Sequence, residues 1–301
     1  MATTTGSPNL ETDSESPFLS VPPPWECKGE MFWFVGFNLA TTYPPAAAFG
    51  ELEQGSSFAS EQEAGKFKAG VCAVMVVRYT ESPVGPYDEL AWVPGKFAVP
   101  GGGPVAARTT RIYVSTKESV YNGRKNWNIP KTQAHFEFTP NPHAKKNTDF
   151  PYTRVSVSSP SDPTHPFFAA DLKPSLLSAL SMPFHSSYVP LRMNMAHPPL
   201  PQSLHWRDDA MVGTDRWCAM DPTMRGKAGM FWSKGGLEGG RYGDGVGWPD
   251  VKPWAAGMWL RDFSLVFDVP KVLEVGSAGS SGVSGRETET ETDEGDSKKQ
   301  R

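Results

Sequence analysis

Cysteine is scarce in this 301-residue chain, and Cys27, Cys72 and Cys218 make an odd count without CxxC spacing, which excludes a disulfide framework. Cys72 sits inside an apolar run and reads as a small buried hydrophobe. The six histidines, His135, His143, His165, His185, His197 and His205, never fall at metal-ligand spacing. No metal site and no cofactor is expected; His143, His165 and His197 neighbour prolines and read as loop residues. No apolar run is long enough to span a bilayer, and the opening MATTTGSPNLETDSESP lacks the basic and apolar regions of a signal peptide. A soluble, cytoplasmic protein is the expectation. Basic blocks longer than a pair are missing from the apolar segments and the formal charge is −4, which argues against a nucleic-acid surface. Gly101-Gly102-Gly103 lacks a following Lys-Ser/Thr and reads as a loop tip instead of a phosphate cradle. The paired Lys145-Lys146 lies in a polar stretch and is expected to be exposed.

What the chain does have is punctuation and aromatic bulk. Its 29 Gly and 29 Pro forbid long helices, while 12% aromatic residues, 10 of them Trp, supply core volume. Apolar runs suited to strands recur: MFWFVGF (31–37), VCAVMVVRY (71–79), RIYVSTKESVY (111–121), and later AHFEF, TRVSVS and FSLVFDV. VCAVMVV does not alternate and predicts a strand buried on both faces; RIYVSTK alternates and predicts one wetter face. One modest helix is predicted over Leu172–Ser181, between Pro174 and Pro183. The alternation of strand and helix expected of a nucleotide-binding α/β fold is missing. These patterns predict a mainly β (α+β) fold, an antiparallel β-rich barrel or sandwich with few short helices. Residues 1–17 and 276–301 are polar and read as disordered tails around one domain at 18–275.

The densest segment for chemistry is GRKNWNIPK, Gly123 to Lys131. It resembles the acetoacetate decarboxylase family, whose members carry a Gly-Arg-Glu stretch, an aromatic or apolar residue and then Pro-Lys. YTES (79–82), the opening PPWECKGEMFWF and the closing VFDVPKVLEV fall in the family's order, so the resemblance spans roughly 18–275. It implies an antiparallel β-rich fold and places the imine-forming nucleophile on Lys131 and an active-site carboxylate on Glu81. Arg124, Trp127 and Lys28 are implied as pocket residues, and relatives assemble into rings of many chains, so a homo-oligomer is implied too.

A lysine amine attacks a carbonyl only when neutral, and desolvation disfavours the charged form. Trp127, Ile129 and Pro130 would supply apolar cover, and Arg124 and Lys125 positive charge. Arg124 reads equally well as a structural partner for a carboxylate. Three departures from the family stand out. Thr132 takes the place of a second lysine, Lys125 that of the glutamate, and Gly29 that of an N-terminal arginine, leaving Lys28 as the nearest cation. On this reading Thr132→Lys would add back a positive neighbour and lower the optimum pH.

The expected function is a decarboxylase-like lyase acting through a lysine Schiff base on a β-keto acid or related oxo compound. The aromatic content points to a roomy pocket and an accessory role in specialised, polyketide-like metabolism. An aldolase-dehydratase variant is the alternative within the same chemistry. A catalytically silent domain that binds a hydrophobic metabolite is the alternative outside it.

Overall fold

Apolar side chains on both sides of Trp25–Asn38 make it a strand that is covered on two faces. Cys27 and Met31 enter one core cluster, and Phe32 and Phe34 enter a second. The computed structural model describes residues 16–38, 43–146, 149–176, 182–188 and 194–275. In chain order its strands are β1 (Trp25–Asn38), β2 (Phe67–Glu81), β3 (Tyr87–Val93), β4 (Lys96–Ala98), β5 (Val105–Ala107) and β6 (Arg111–Val114). They continue as β7 (Lys131–Gln133), β8 (His135–Pro140), β9 (Tyr152–Ser159), β10 (Asp162–Pro174) and β11 (Met182–His185). The last are β12 (Met195–His197), β13 (Trp217–Met220), β14 (Thr223–Gly235), β15 (Ala256–Phe267) and β16 (Lys271–Leu273). Three α-helices are described: α1 (Glu61–Ala64), α2 (Lys117–Trp127) and α3 (Trp206–Asp209). None is long and apolar enough to cross a membrane.

The pairing is antiparallel almost throughout. β1 lies between β2 and β15, and the sheet runs on through β14, β10, β9 and β8. At its other side β2 pairs with β4, leading to β5, β12, β13 and β16, and also with β3, which leads to β6 and β7. The predicted β-rich fold is observed, and β2 is the central strand that VCAVMVV called for: Ala73, Val74, Met75, Val76 and Val77 are all buried. Met75, Val77 and Tyr79 face the first cluster, Val74 and Val76 the second.

β6 and β7 run parallel, so the chain must cross over between them, and α2 is that crossover. Here RIYVSTKESVY departs from the expected single strand. The strand ends at Val114, and the Thr116 hydroxyl accepts from the Ser119 N–H to cap a helix with Glu118 in its first turn. The wetter face expected of β6 is only a cleft wall, formed by Arg111 and Tyr113, while Ile112 and Val114 enter the first cluster. All four residues are buried because Arg111 donates to the carbonyls of Ala47 and Val246, and Tyr113 to that of Gly247.

The helix predicted over Leu172–Ser181 is corrected in its first part. Leu172–Pro174 complete β10, paired to Ser233, Trp232 and Phe231 of β14; residues 177–181 lie outside the described residues. His197, expected in a loop, is buried on β12. Gly101 and Gly102 form the expected loop tip with positive φ, and Lys145 and Lys146 are exposed. Of the two predicted tails, only Ser16 and Pro17 fall among the described residues.

Candidate active site

The GRKNWNIPK segment is folded by its own residues. α2 ends at Trp127, and Asn128 takes the left-handed conformation (φ 54°) that reverses the chain, a position asparagine tolerates. Its side-chain amide donates to the carbonyls of Pro198 and Arg216. The chain then enters β7, where Lys131 pairs with Ile112 and Thr132 with Tyr113.

Strand alternation sends neighbours to opposite faces. Lys131 goes to the first cluster's side, only 3% exposed. Thr132 lines a surface cleft of about 610 Å³ together with Tyr113 and Arg111. A second lysine at 132 would therefore lie across the strand from Lys131, which corrects the sequence-based expectation for Thr132→Lys. That variant should leave the rate and pH profile of imine formation at Lys131 within about twofold of the parent, measured by reductive trapping.

The Lys131 ammonium has three donors, and each meets an oxygen. Nζ lies 2.9 Å from Glu89 Oε2, 3.0 Å from Ser119 Oγ and 3.5 Å from Tyr87 Oη. Glu89 is also buried, at 7% exposure, and accepts a long 3.4 Å hydrogen bond from the Tyr79 hydroxyl. The β2–β3 hairpin builds this arrangement by setting Tyr79 opposite Tyr87 and Val77 opposite Glu89. The two tyrosine rings pack at 4.6 Å between centroids. Burial, and then the Glu89 charge, push both phenols well above their ordinary range, so they remain hydrogen-bond donors. The nearby Cys27 thiol is pushed up to about 12 by burial, with the Lys131 charge opposing, and it stays protonated.

Gly123 explains why the motif opens on glycine. A Cβ there would lie 2.5 Å from Lys131 Cδ and 2.8 Å from Cε, so the lysine stem runs directly across the helix backbone. In Gly123→Ala the helix gains about 1 kcal/mol of intrinsic preference, but the new methyl displaces the amine. The expected result is imine formation slowed by about tenfold or more, with a lower melting temperature, because a displaced amine leaves the buried Glu89 carboxylate without its cation.

The remaining implied residues sit elsewhere. Glu81 is the main correction: it does not approach Lys131 but pairs with Lys28 at 2.8 Å on the surface, the two side chains 67% and 52% exposed. Both are therefore placed outside the pocket. The cause is the end of β2, where Thr80 and Glu81 pass beyond the covered part of the sheet. Trp127 is a wall of the first cluster, packed between Trp25 and Phe267, with Nε1 donating to the Asp268 carbonyl. Arg124 holds the motif from behind. It donates to Glu53 at 2.8 Å, both side chains wholly buried, and to the carbonyls of Val212, Pro201 and Lys131 itself. Lys125 turns away to Ser20.

Position 29 has no room for a side chain. A Cβ on Gly29 would stand 1.9 Å from the Arg78 carbonyl oxygen, at a bulge where β1 shifts register against both neighbours. Beside Glu89 opens a cavity of about 50 Å³, lined by Met31, Met75, Met195, Met220 and Met224 with Phe267. It is small and methionine-walled, in contrast to the roomy aromatic pocket expected.

Sequence reasoning missed Glu89, Ser119, Tyr79 and Tyr87. The available signal for Glu89 was a carboxylate within the otherwise apolar face Tyr87, Ala91, Val93, and for Ser119 its place one helical turn before Gly123.

No family model matches the chain, and no curated protein matches its sequence. Solved structures do match. An acetoacetate decarboxylase-like enzyme from Sphingomonas wittichii RW1 aligns at 12% identity over 86% of this chain and 98% of that one, with a TM-score of 0.52. The enduracididine biosynthesis enzyme MppR, complexed with the condensation product of pyruvate and imidazole 4-carboxaldehyde, aligns at 12% identity over 90% and 97%, with a TM-score of 0.51. Acetoacetate decarboxylase from Legionella pneumophila aligns at 11% identity over 91% and 98%, with a TM-score of 0.50. The chain thus has the acetoacetate decarboxylase-like fold.

Proposed function

We propose that this chain is a carbon–carbon lyase on the decarboxylase-like scaffold, working through a Schiff base between Lys131 and a small oxo compound. The observation that carries the reading is the Lys131 ammonium, held at 2.9 Å from a buried carboxylate beside an apolar cavity. Proton transfer to Glu89 removes both charges and leaves a neutral amine within the same pair. The amine nitrogen attacks the carbonyl carbon, and the carbonyl oxygen takes the proton back. Ser119 and Tyr87, released from the ammonium, are placed to hydrogen-bond that oxygen. Loss of water gives an iminium whose single N–H replaces three, paired with the Glu89 carboxylate. Overall, ammonium and carbonyl become iminium and water, with no net change of charge. The iminium then accepts the electron pair of the adjacent breaking bond, whether to carbon or to hydrogen, and the enamine formed is reprotonated at carbon. MppR, on the same fold, holds the condensation product of pyruvate and imidazole 4-carboxaldehyde, two oxo compounds of the kind that an enamine route could join.

The test is borohydride trapping with a panel of ketones, aldehydes and keto acids, read by intact mass and peptide mapping. The expected result is a single adduct on Lys131, abolished in Lys131→Ala. A protein that traps nothing from the panel at any pH, yet binds apolar ligands equally well as Lys131→Ala, is a binding domain and not an enzyme.

A further inference from the structure

Resting on the lysine-imine reading, we infer that the oxo compound taken by Lys131 is uncharged, a small apolar ketone or aldehyde, and that the site discriminates against keto acids. Among the described residues that line the cavity, Glu89 is the one charged group, and Lys131 already matches it. A substrate carboxylate would bring a second negative charge into the same buried space with a single cation to share. An unmatched buried charge carries a large desolvation cost.

The cations that the sequence reading places at the site are committed elsewhere. Arg124 is spent on Glu53, and Lys28 on Glu81 at the surface. Gly29 cannot be replaced by a cation, because the Arg78 carbonyl occupies the place of its Cβ. Beside Glu89, the walls offer five thioethers, hydrocarbon and the uncharged hydroxyl-bearing side chains of Tyr79 and Thr109. Methionine is polarisable and adaptable, so these walls suit an alkyl substituent and can yield around one. A cavity of about 50 Å³ accommodates few heavy atoms, which sets the scale at a short methyl ketone or aldehyde. The bond broken or made next to the iminium is then a carbon–carbon or carbon–hydrogen bond of a neutral partner, as in aldol chemistry. Glu89 takes the proton from the adjacent carbon to give the enamine, and returns it when the enamine is quenched.

The experiment compares propanal with acetoacetate on the full chain. Borohydride-trapped adduct is measured by intact mass, and each rate is divided by that of the same compound with a free alkylamine. Propanal should be favoured by about tenfold or more after this correction. Exchange of its α-hydrogens for deuterium in heavy water should depend on Lys131 and be lost in Lys131→Ala. Equal or faster trapping of acetoacetate overturns the inference while leaving the lysine-imine reading intact. An absence of adduct from both compounds overturns the two together.

Discussion

Glu53→Ala is expected to destabilise the fold by about 3–5 kcal/mol, the cost of leaving a buried guanidinium without its anion. Arg124 and Glu53 are both wholly buried and 2.8 Å apart. Burial pushes the Glu53 carboxyl up and the Arg124 charge pulls against it. Once Glu53 is gone, Arg124 keeps the carbonyls of Val212, Pro201 and Lys131, but these dipoles do not neutralise a full charge. The surroundings have been shaped to the carboxylate. A Cβ on Gly50 would sit 2.2 Å from Glu53 Oε2, so no larger residue fits at position 50. Denaturant midpoints of the parent, Glu53→Ala and the double variant Glu53→Ala/Arg124→Met check the argument. The double variant should recover part of the loss, because it removes the stranded charge. A single variant within about 1 kcal/mol of the parent would show that the pair does not carry this load. Because Arg124 also holds the Lys131 carbonyl, the single variant should trap imines more slowly even where it remains folded.

That pair shows what the sequence made legible and what it did not. Gly123, Arg124, Pro130 and Lys131 stood out because one short helix and one turn hold them together, so their relation is written in consecutive residues. Glu53 and Glu89 reach the same motif from separate elements, and nothing local in either segment marks the contact. Glu81 misled for the same reason. Its sequence neighbourhood matched, but β2 carries it past the covered part of the sheet to the surface. The long strands were readable where hydrophobic runs exceed the length of a turn, as in β1, β2 and β15. α2 was hidden because Lys117–Trp127 carries polar residues on a face that the fold nevertheless buries, among them Ser119, Asn122 and Arg124. Hydrophobic periodicity cannot report a helix whose buried side is satisfied by hydrogen bonds. Gly29 and Gly123 were visible as letters, and only the fold supplies their reasons, a carbonyl and a lysine stem where a Cβ would be.

Acidification should destabilise the protein through His197 by about 1.4 kcal/mol per pH unit within a defined window. The imidazole is wholly buried on β12, where Nε2 accepts the Thr109 N–H, so it sits in the neutral form with its proton on Nδ1. Burial first, and then the charge of Arg108, lower it from 6.5 to about 3. Arg108 is itself wholly buried and lies over the Phe97 ring, its guanidinium carbon 4.2 Å from the centroid. Burial lowers this guanidinium to about 10, so it remains a cation through the whole acid range. Above pH 6.5 the imidazole is neutral in both folded and unfolded chains and contributes no slope. Between pH 6.5 and about 3 the unfolded chain binds a proton that the folded chain refuses, so stability falls as the pH falls. Below about 3 the folded chain binds it too and the slope ends. His197→Gln keeps an acceptor for the Thr109 N–H and removes the titration. Groups common to both proteins cancel in the difference of their unfolding free energies, measured by urea denaturation across the window. The variant should cost stability near neutral pH, through imperfect packing, and then lose less than the parent with each step towards acid. The two curves should converge, and cross if the window is wide enough for the slope to exceed the packing loss. Parallel curves would mean that the folded chain accepts a proton at His197, and that water or an anion reaches the Arg108 side of β12.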